Sequence, residues 1–172
     1  EIMLLVIAVI VRLSAYLALP AQPLPDADAY RAMALALRHD GIIDSPFVMP
    51  LYPMLIAFVG PGFGQLALDI GFSALISLLC NRLARLLFGD YAAALVAMGV
   101  AVFYPLLIFY AVVGLTESMF VCLILGAFLF LYQGRFTVSA LCFVASILVR
   151  PTVELFAPFA IGWYSLVVMR LG

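Results

Sequence analysis

Residues 65–88 read QLALDIGFSALISLLCNRLARLLF, and this stretch decides the fold. It stays apolar for longer than the roughly 20 residues a helix needs to cross a bilayer. It then closes on Asn81, Arg82 and Arg85. Other apolar runs surround it: Ile2–Leu19 before it, and Tyr91–Phe109, Thr116–Tyr132, Phe136–Val149 and Phe156–Met169 after it. The expectation is an all-α, polytopic transmembrane helical protein of about six spans. Residues 1–172 form one module.

The composition points the same way. Hydrophobic residues make up 68% of the chain and charged residues 10%, with a mean hydropathy of +1.29. A soluble domain carries about 25% charged residues, so the bilayer is the expected solvent. The cations are all Arg and form no basic patch, which argues against a nucleic-acid partner. Cys80, Cys122 and Cys142 sit inside apolar runs without paired spacing. They read as packing residues rather than disulfides or metal ligands. Arg12 interrupts the first run and no basic segment precedes it, so that run reads as a retained span and not a signal peptide.

The prolines between Pro20 and Pro25 end the first span. The most polar part of the chain follows, from Asp26 to Pro53. The Ala- and Leu-rich stretch from Asp26 to Gly41 predicts a helix, with Asp26 as its N-cap and Gly41 as its stop. Tyr30, Met33, Ala34 and Leu37 share one face, so this helix is expected to lie along the membrane surface. Tyr52–Val59 is too short to span and stops at Gly60-Pro61-Gly62, which predicts an interfacial or re-entrant helix. With a cytoplasmic N-terminus, Arg82, Arg85, Arg135 and Arg170 fall on the cytoplasmic side, a moderate fit to positive-inside placement because Arg31 and Arg38 then lie outside. The outer side then holds Asp26, Asp28, Asp40, Asp44, Glu117 and Glu154, together with Arg31, Arg38 and Arg150.

Arg12, Glu117 and Arg150 lie within or against apolar helices at that outer level. A charge at mid-membrane costs about 2.5–3.5 kcal/mol on insertion scales. Several charges of both signs at one depth suggest a hydrated, anion-binding cavity. Two plainer readings compete: snorkelling, and ion pairing of Arg150 with Glu117 or Glu154. Asp69 either binds substrate or pairs with an Arg. Asp26 and Asp28 have a plain reading too, as a cap and as a complement to the helix dipole. His39 is a lone, solvated histidine with no second ligand in spacing.

Several pieces occur in a fixed order: a first span carrying Arg12; Asp26-Ala27-Asp28-Ala29-Tyr30 followed by an Ala/Leu helix; Pro46-Phe47 with Pro50-Leu51-Tyr52-Pro53; Tyr104-Pro105; Leu115-Thr116-Glu117; and Arg150-Pro151-Thr152. In this order the sequence resembles the GT-C superfamily of membrane glycosyltransferases, in the branch of protein O-mannosyltransferases and aminoarabinose transferases. The resemblance implies the N-terminal part, or a reduced form, of a longer enzyme in a bacterial inner membrane, with an extracytoplasmic active site. It implies inverting transfer of a sugar from a polyprenyl-phosphate donor to an acceptor hydroxyl on a lipid, glycan or protein. The family's catalytic acid in the first outer loop maps onto Asp26, four residues before Tyr30, with Asp28 as the alternative. Ala27 stands where the family has a second acid. Arg12, Tyr30, Tyr52, Asp69, Glu117 and Arg150 are the expected substrate-binding residues, with Arg12 and Arg150 on the phosphate. No metal ligands are expected from the residues, while the resemblance leaves room for a divalent cation. Membrane lipids are expected partners. Other functions fit the same residues: a non-catalytic subunit bound to a membrane protein partner, or a transporter for a lipid or small anion.

Overall fold

The computed structural model describes residues 1–20, 24–41, 48–152 and 157–171. The secondary structure there is helical: α1 (Ile2–Ala18), α2 (Pro25–Asp40), α3 (Leu51–Val59), α4 (Phe63–Phe88), α5 (Tyr91–Phe103), α6 (Pro105–Val113), α7 (Glu117–Tyr132), α8 (Phe136–Ile147) and α9 (Ala157–Leu171). The all-α expectation holds.

Local chemistry sets the boundaries. α2 starts at Pro25, with Leu24 as the N-cap residue and no side-chain cap. Proline suits this position because the first-turn N–H groups have no intrahelical acceptor. The expected N-cap role of Asp26 is therefore corrected: its carboxylate lies inside the first turn and is exposed. Gly41 does end α2, with φ at 69° in the left-handed region. Asp90 caps α5, accepting from the backbone N–H groups of Ala92 and Ala93 at 3.0 and 3.2 Å.

The expected third span, Tyr91–Phe109, is not continuous. It breaks at Tyr104, and α5 and α6 meet with a bend of 48°. Pro105 has no N–H, so the carbonyl of Ala101 loses its donor four residues on. Proline also pushes the residue before it out of helical geometry, and Tyr104 is extended at φ −67° and ψ 116°.

α4 is the hub and packs against α1, α5, α6 and α7, while α2 and α3 pair with each other. α1 runs antiparallel to α4. At one end Glu1 meets Arg85 at 3.0 Å, and further along Arg12 meets Ser73 at 2.6 Å. The N–H of Leu51 donates to the carbonyl of Leu148 at 3.2 Å and ties the start of α3 to the segment after α8.

A row of polar side chains is buried beside the apolar core, and several large apolar side chains are exposed. Arg12, Gln65, Asp69, Ser73, Ser77 and Asn81 are all buried, while Ile2, Phe58 and Phe63 are 81%, 88% and 81% exposed. Among the described residues α4 alone is long and apolar enough to cross a membrane by itself; α5 and α6 qualify as one bent pair. α1, α7 and α8 are apolar but shorter, at 17, 16 and 12 residues.

Candidate functional site

Gln65, Asp69, Ser73, Ser77 and Asn81 recur every fourth residue on α4, which puts them on one face of the helix. All five are buried. At the upper end of this stripe, α2 and α3 supply the partners. The Arg31 Nε–H donates to Gln65 Oε1 at 2.9 Å. Gln65 Nε2 donates to the Tyr52 hydroxyl at 3.1 Å and to the Gly114 carbonyl at 3.4 Å. The Tyr52 hydroxyl faces both carboxylate oxygens of Asp69, at 2.9 and 2.8 Å.

The direction of this chain follows from its chemistry. Guanidinium only donates, so the oxygen of the Gln65 amide must face Arg31 and its NH₂ must face Tyr52. Tyr52 oxygen thus accepts from Gln65, and its proton points to Asp69. The relay begins on a cation and ends on a carboxylate. Burial, and after it the facing Asp69 carboxylate, raise the Tyr52 phenol above the ordinary tyrosine range. Tyr30 packs edge-on against Tyr52, with ring centroids 5.3 Å apart. A pocket of about 70 Å³ opens beside the relay, bordered by Arg31, Gln65, Asp69, Tyr16, Gly62 and Gly114.

Gly114 closes the wall of this pocket and is needed twice. Its φ is +76°, which side chains rarely adopt. A Cβ there would stand 2.6 Å from Gln65 Nε2 and 3.0 Å from Arg31 Nη2.

The structure brings Asp28, Tyr30, Tyr52 and Asp69 into this one neighbourhood. Asp28 joins through Arg31, Oδ1 to Nη1 at 3.5 Å, on the exposed rim. Asp26, on the same first turn, is exposed and carries no hydrogen bond or ion pair among the described residues. Glu117 and Arg150 pair with each other at 2.5 Å. That is the ion-pair reading of these two charges, and Glu154, the other expected partner, lies outside the described residues. Asp44 and the Pro46-Phe47 piece do too.

Arg12 departs furthest from expectation. Its Nε donates to Ser73 Oγ at 2.6 Å; Nη1 donates to the carbonyls of Ala8 and Val102 at 3.0 and 3.2 Å; Nη2 donates to those of Ser73 and Ala101 at 3.5 and 3.3 Å. Arginine has five N–H donors, and each has a protein acceptor. Ala101 and Val102 are carbonyls left over by the break before Pro105. Arg12 therefore caps the broken end of α5 from another helix, where a cation also suits the helix dipole. The contacts the structure shows for Arg12, expected on the phosphate, are all with protein acceptors.

Arg31, Gln65 and Gly114 were not among the expected site residues. An Arg on a polar surface helix looks like any solvated charge, and its partner lies 34 residues away. Among the described residues no three His, Cys, Asp or Glu side chains gather as a metal site would require. Comparison with protein-family models, with curated proteins and with solved structures returns no match.

Proposed function

We propose that this chain is the membrane module of a glycosyltransferase that moves a sugar from a polyprenyl-phosphate carrier to an acceptor hydroxyl on the extracytoplasmic side. In this reading α1, α4, the bent pair α5–α6, α7, α8 and α9 are the six spans, and α2 and α3 lie at the outer interface. Large exposed apolar side chains such as Ile2, Phe58 and Phe63, together with the length and apolarity of α4, support a bilayer surround.

The observation that carries the reading is the meeting of α2 with the buried relay. A surface helix brings two carboxylates and a guanidinium to the end of a buried Gln–Tyr–Asp chain. Inverting transfer needs a base and a cation at one place. Asp26, with its carboxylate free, takes the proton of the acceptor hydroxyl. The hydroxyl oxygen attacks C1 of the sugar, and the bond from C1 to the phosphate oxygen breaks. The electron pair leaves with the phosphate, whose growing charge a fixed cation stabilises. The groove of about 1060 Å³ between α7, α8 and α9, walled by residues such as Phe120, Ile124, Phe143 and Trp163, has the apolar chemistry an isoprenoid tail matches.

The experiment is release of polyprenyl phosphate from a panel of polyprenyl-phosphate sugars, with wild type and Asp26→Asn side by side. Release that falls about 10²–10⁴-fold in the variant supports the reading. A folded full-length protein that turns over no donor sinks it.

A further inference from the structure

We propose that Arg31, held by Gln65 over the pocket between α2, α4 and the end of α6, is an oxyanion site that takes the phosphate of a lipid phosphate. The lipid as source rests on the transferase reading; the oxyanion chemistry rests on the geometry alone.

The cations near the outer end are not equivalent. Arg12 has all five donors committed to protein acceptors. Arg150 gives only Nη1 to Glu117, but that short, half-buried ion pair at 2.5 Å neutralises its charge, whereas the carboxylate facing Arg31 is exposed and 3.5 Å away. Arg31 spends its Nε–H on Gln65 and makes one long contact, 3.5 Å, from Nη1 to the exposed Asp28. Three of its five N–H groups therefore have no acceptor among the described residues. Those three lie on the two terminal nitrogens, the fork that binds two oxygens of a phosphate side by side.

The fork is also built in. Gln65 is 2% exposed and anchored in turn by Tyr52 and Gly114, so it fixes the plane of the guanidinium. The glycine at 114 leaves room where a methyl would meet Arg31 Nη2 at 3.0 Å. The adjoining pocket, about 70 Å³, suits one tetrahedral anion and not a whole sugar. At the back of the pocket, both oxygens of Asp69 already face the Tyr52 hydroxyl. Without Gln65, Arg31 would be a mobile surface cation; with it, the charge is held in place before any ligand arrives.

The test is equilibrium binding of a fluorescent, sugar-free polyprenyl phosphate to the full-length protein in nanodiscs of zwitterionic lipid. Wild type should bind. Arg31→Ala should weaken binding about tenfold to a hundredfold, the usual range for losing hydrogen bonds to a charged group. Arg31→Lys should recover part of the loss. Arg38→Ala, a cation on the same helix, should stay within about twofold. Gly114→Ala, which acts from another helix, should weaken binding in the same direction as Arg31→Ala and covers the case in which that variant misfolds. Competition by inorganic phosphate would name free phosphate as the ligand, and competition by phosphatidylglycerol a lipid headgroup; either keeps the oxyanion site and reassigns its source. Undiminished binding by folded Arg31→Ala, or no binding of any of these phosphates by wild type, overturns the proposal. Binding through Arg31 without sugar transfer would overturn the transferase reading alone. Sugar transfer with binding indifferent to Arg31 would overturn this inference alone.

Discussion

The Tyr52 hydroxyl lies 2.8 and 2.9 Å from the two carboxylate oxygens of Asp69, and both residues are sealed from solvent. Among the described residues Asp69 has no other side-chain donor, and Gln65, the second partner of Tyr52, only donates to it. A buried acceptor that loses its donor keeps its full desolvation penalty. Tyr52→Phe should therefore destabilise the protein by about 1–3 kcal/mol, read from thermal or denaturant unfolding in detergent. In the Tyr52→Phe/Asp69→Asn double variant the two losses should not add, because both break one contact. Simple additivity would mean that the pair is not coupled.

Arg12 and Pro105 should be coupled in stability. Arg12→Leu leaves the carbonyls of Ala101 and Val102 without their donors, each at a cost of about 1–3 kcal/mol. Pro105→Ala restores the N–H that the Ala101 carbonyl lacks. Arg12→Leu should thus be milder in the Pro105→Ala background than in wild type. An equal loss in both backgrounds would show that Arg12 does not serve the break.

The Glu117–Arg150 pair is partly open to solvent, with side chains 22% and 36% exposed. Screening limits it to about 1 kcal/mol or less. Reversing both charges, Glu117→Arg with Arg150→Glu, should recover most of the stability that either single change removes. On the transferase reading, a sugar-transfer assay separates the two roles weighed for Arg150. Activity that survives the double reversal fits a structural pair, whereas activity that collapses while stability returns points to a phosphate contact.

Asp26 and Asp28 differ in their surroundings. Asp28 faces Arg31 at 3.5 Å, while Asp26 has no partner among the described residues. If the chain is a transferase with Asp26 as its base, Asp26→Asn should leave the melting temperature unchanged and lower turnover about 10²–10⁴-fold. Asp28→Asn should lower turnover less, by altering the charge beside Arg31. The reverse ranking in a transfer assay would move the base to Asp28.

The helices were largely legible because apolar runs, prolines and glycines act locally. α4, α7 and α9 fall within two residues of their expected bounds, and Gly41 and Gly89 stop α2 and α4. Pro105 was visible in the sequence, yet the helix was carried past it to Phe109, since apolar composition continues across the break. The start of α2 was missed for a similar reason: Asp is a good cap, but Pro25 preset the turn one residue earlier. The site was less legible. Tyr52 and Asp69 read as substrate-binding residues, and nothing in their 17-residue separation signals that they bind each other. Arg31 meets Gln65 because α2 packs on α3 and α3 on α4, which no local spacing encodes. The polar stripe on α4 has a readable four-residue period, but a period alone does not say whether such a face is buried.

The cap that Arg12 places on α5 joins residues 90 apart in sequence. On the membrane reading this sets a schedule for biogenesis. At ribosomal speeds of about 5–20 residues per second, α1 waits roughly 5–18 s before α5 is made. During that time its guanidinium can reach Ala8 and Ser73 but lacks the carbonyls of Ala101 and Val102, so two of its donors wait for α5. α1 thus reaches its final contacts only after α5 has been made. A ribosome stalled before residue 101 should hold an α1 still accessible to aqueous labelling, and one stalled well after residue 113 should not.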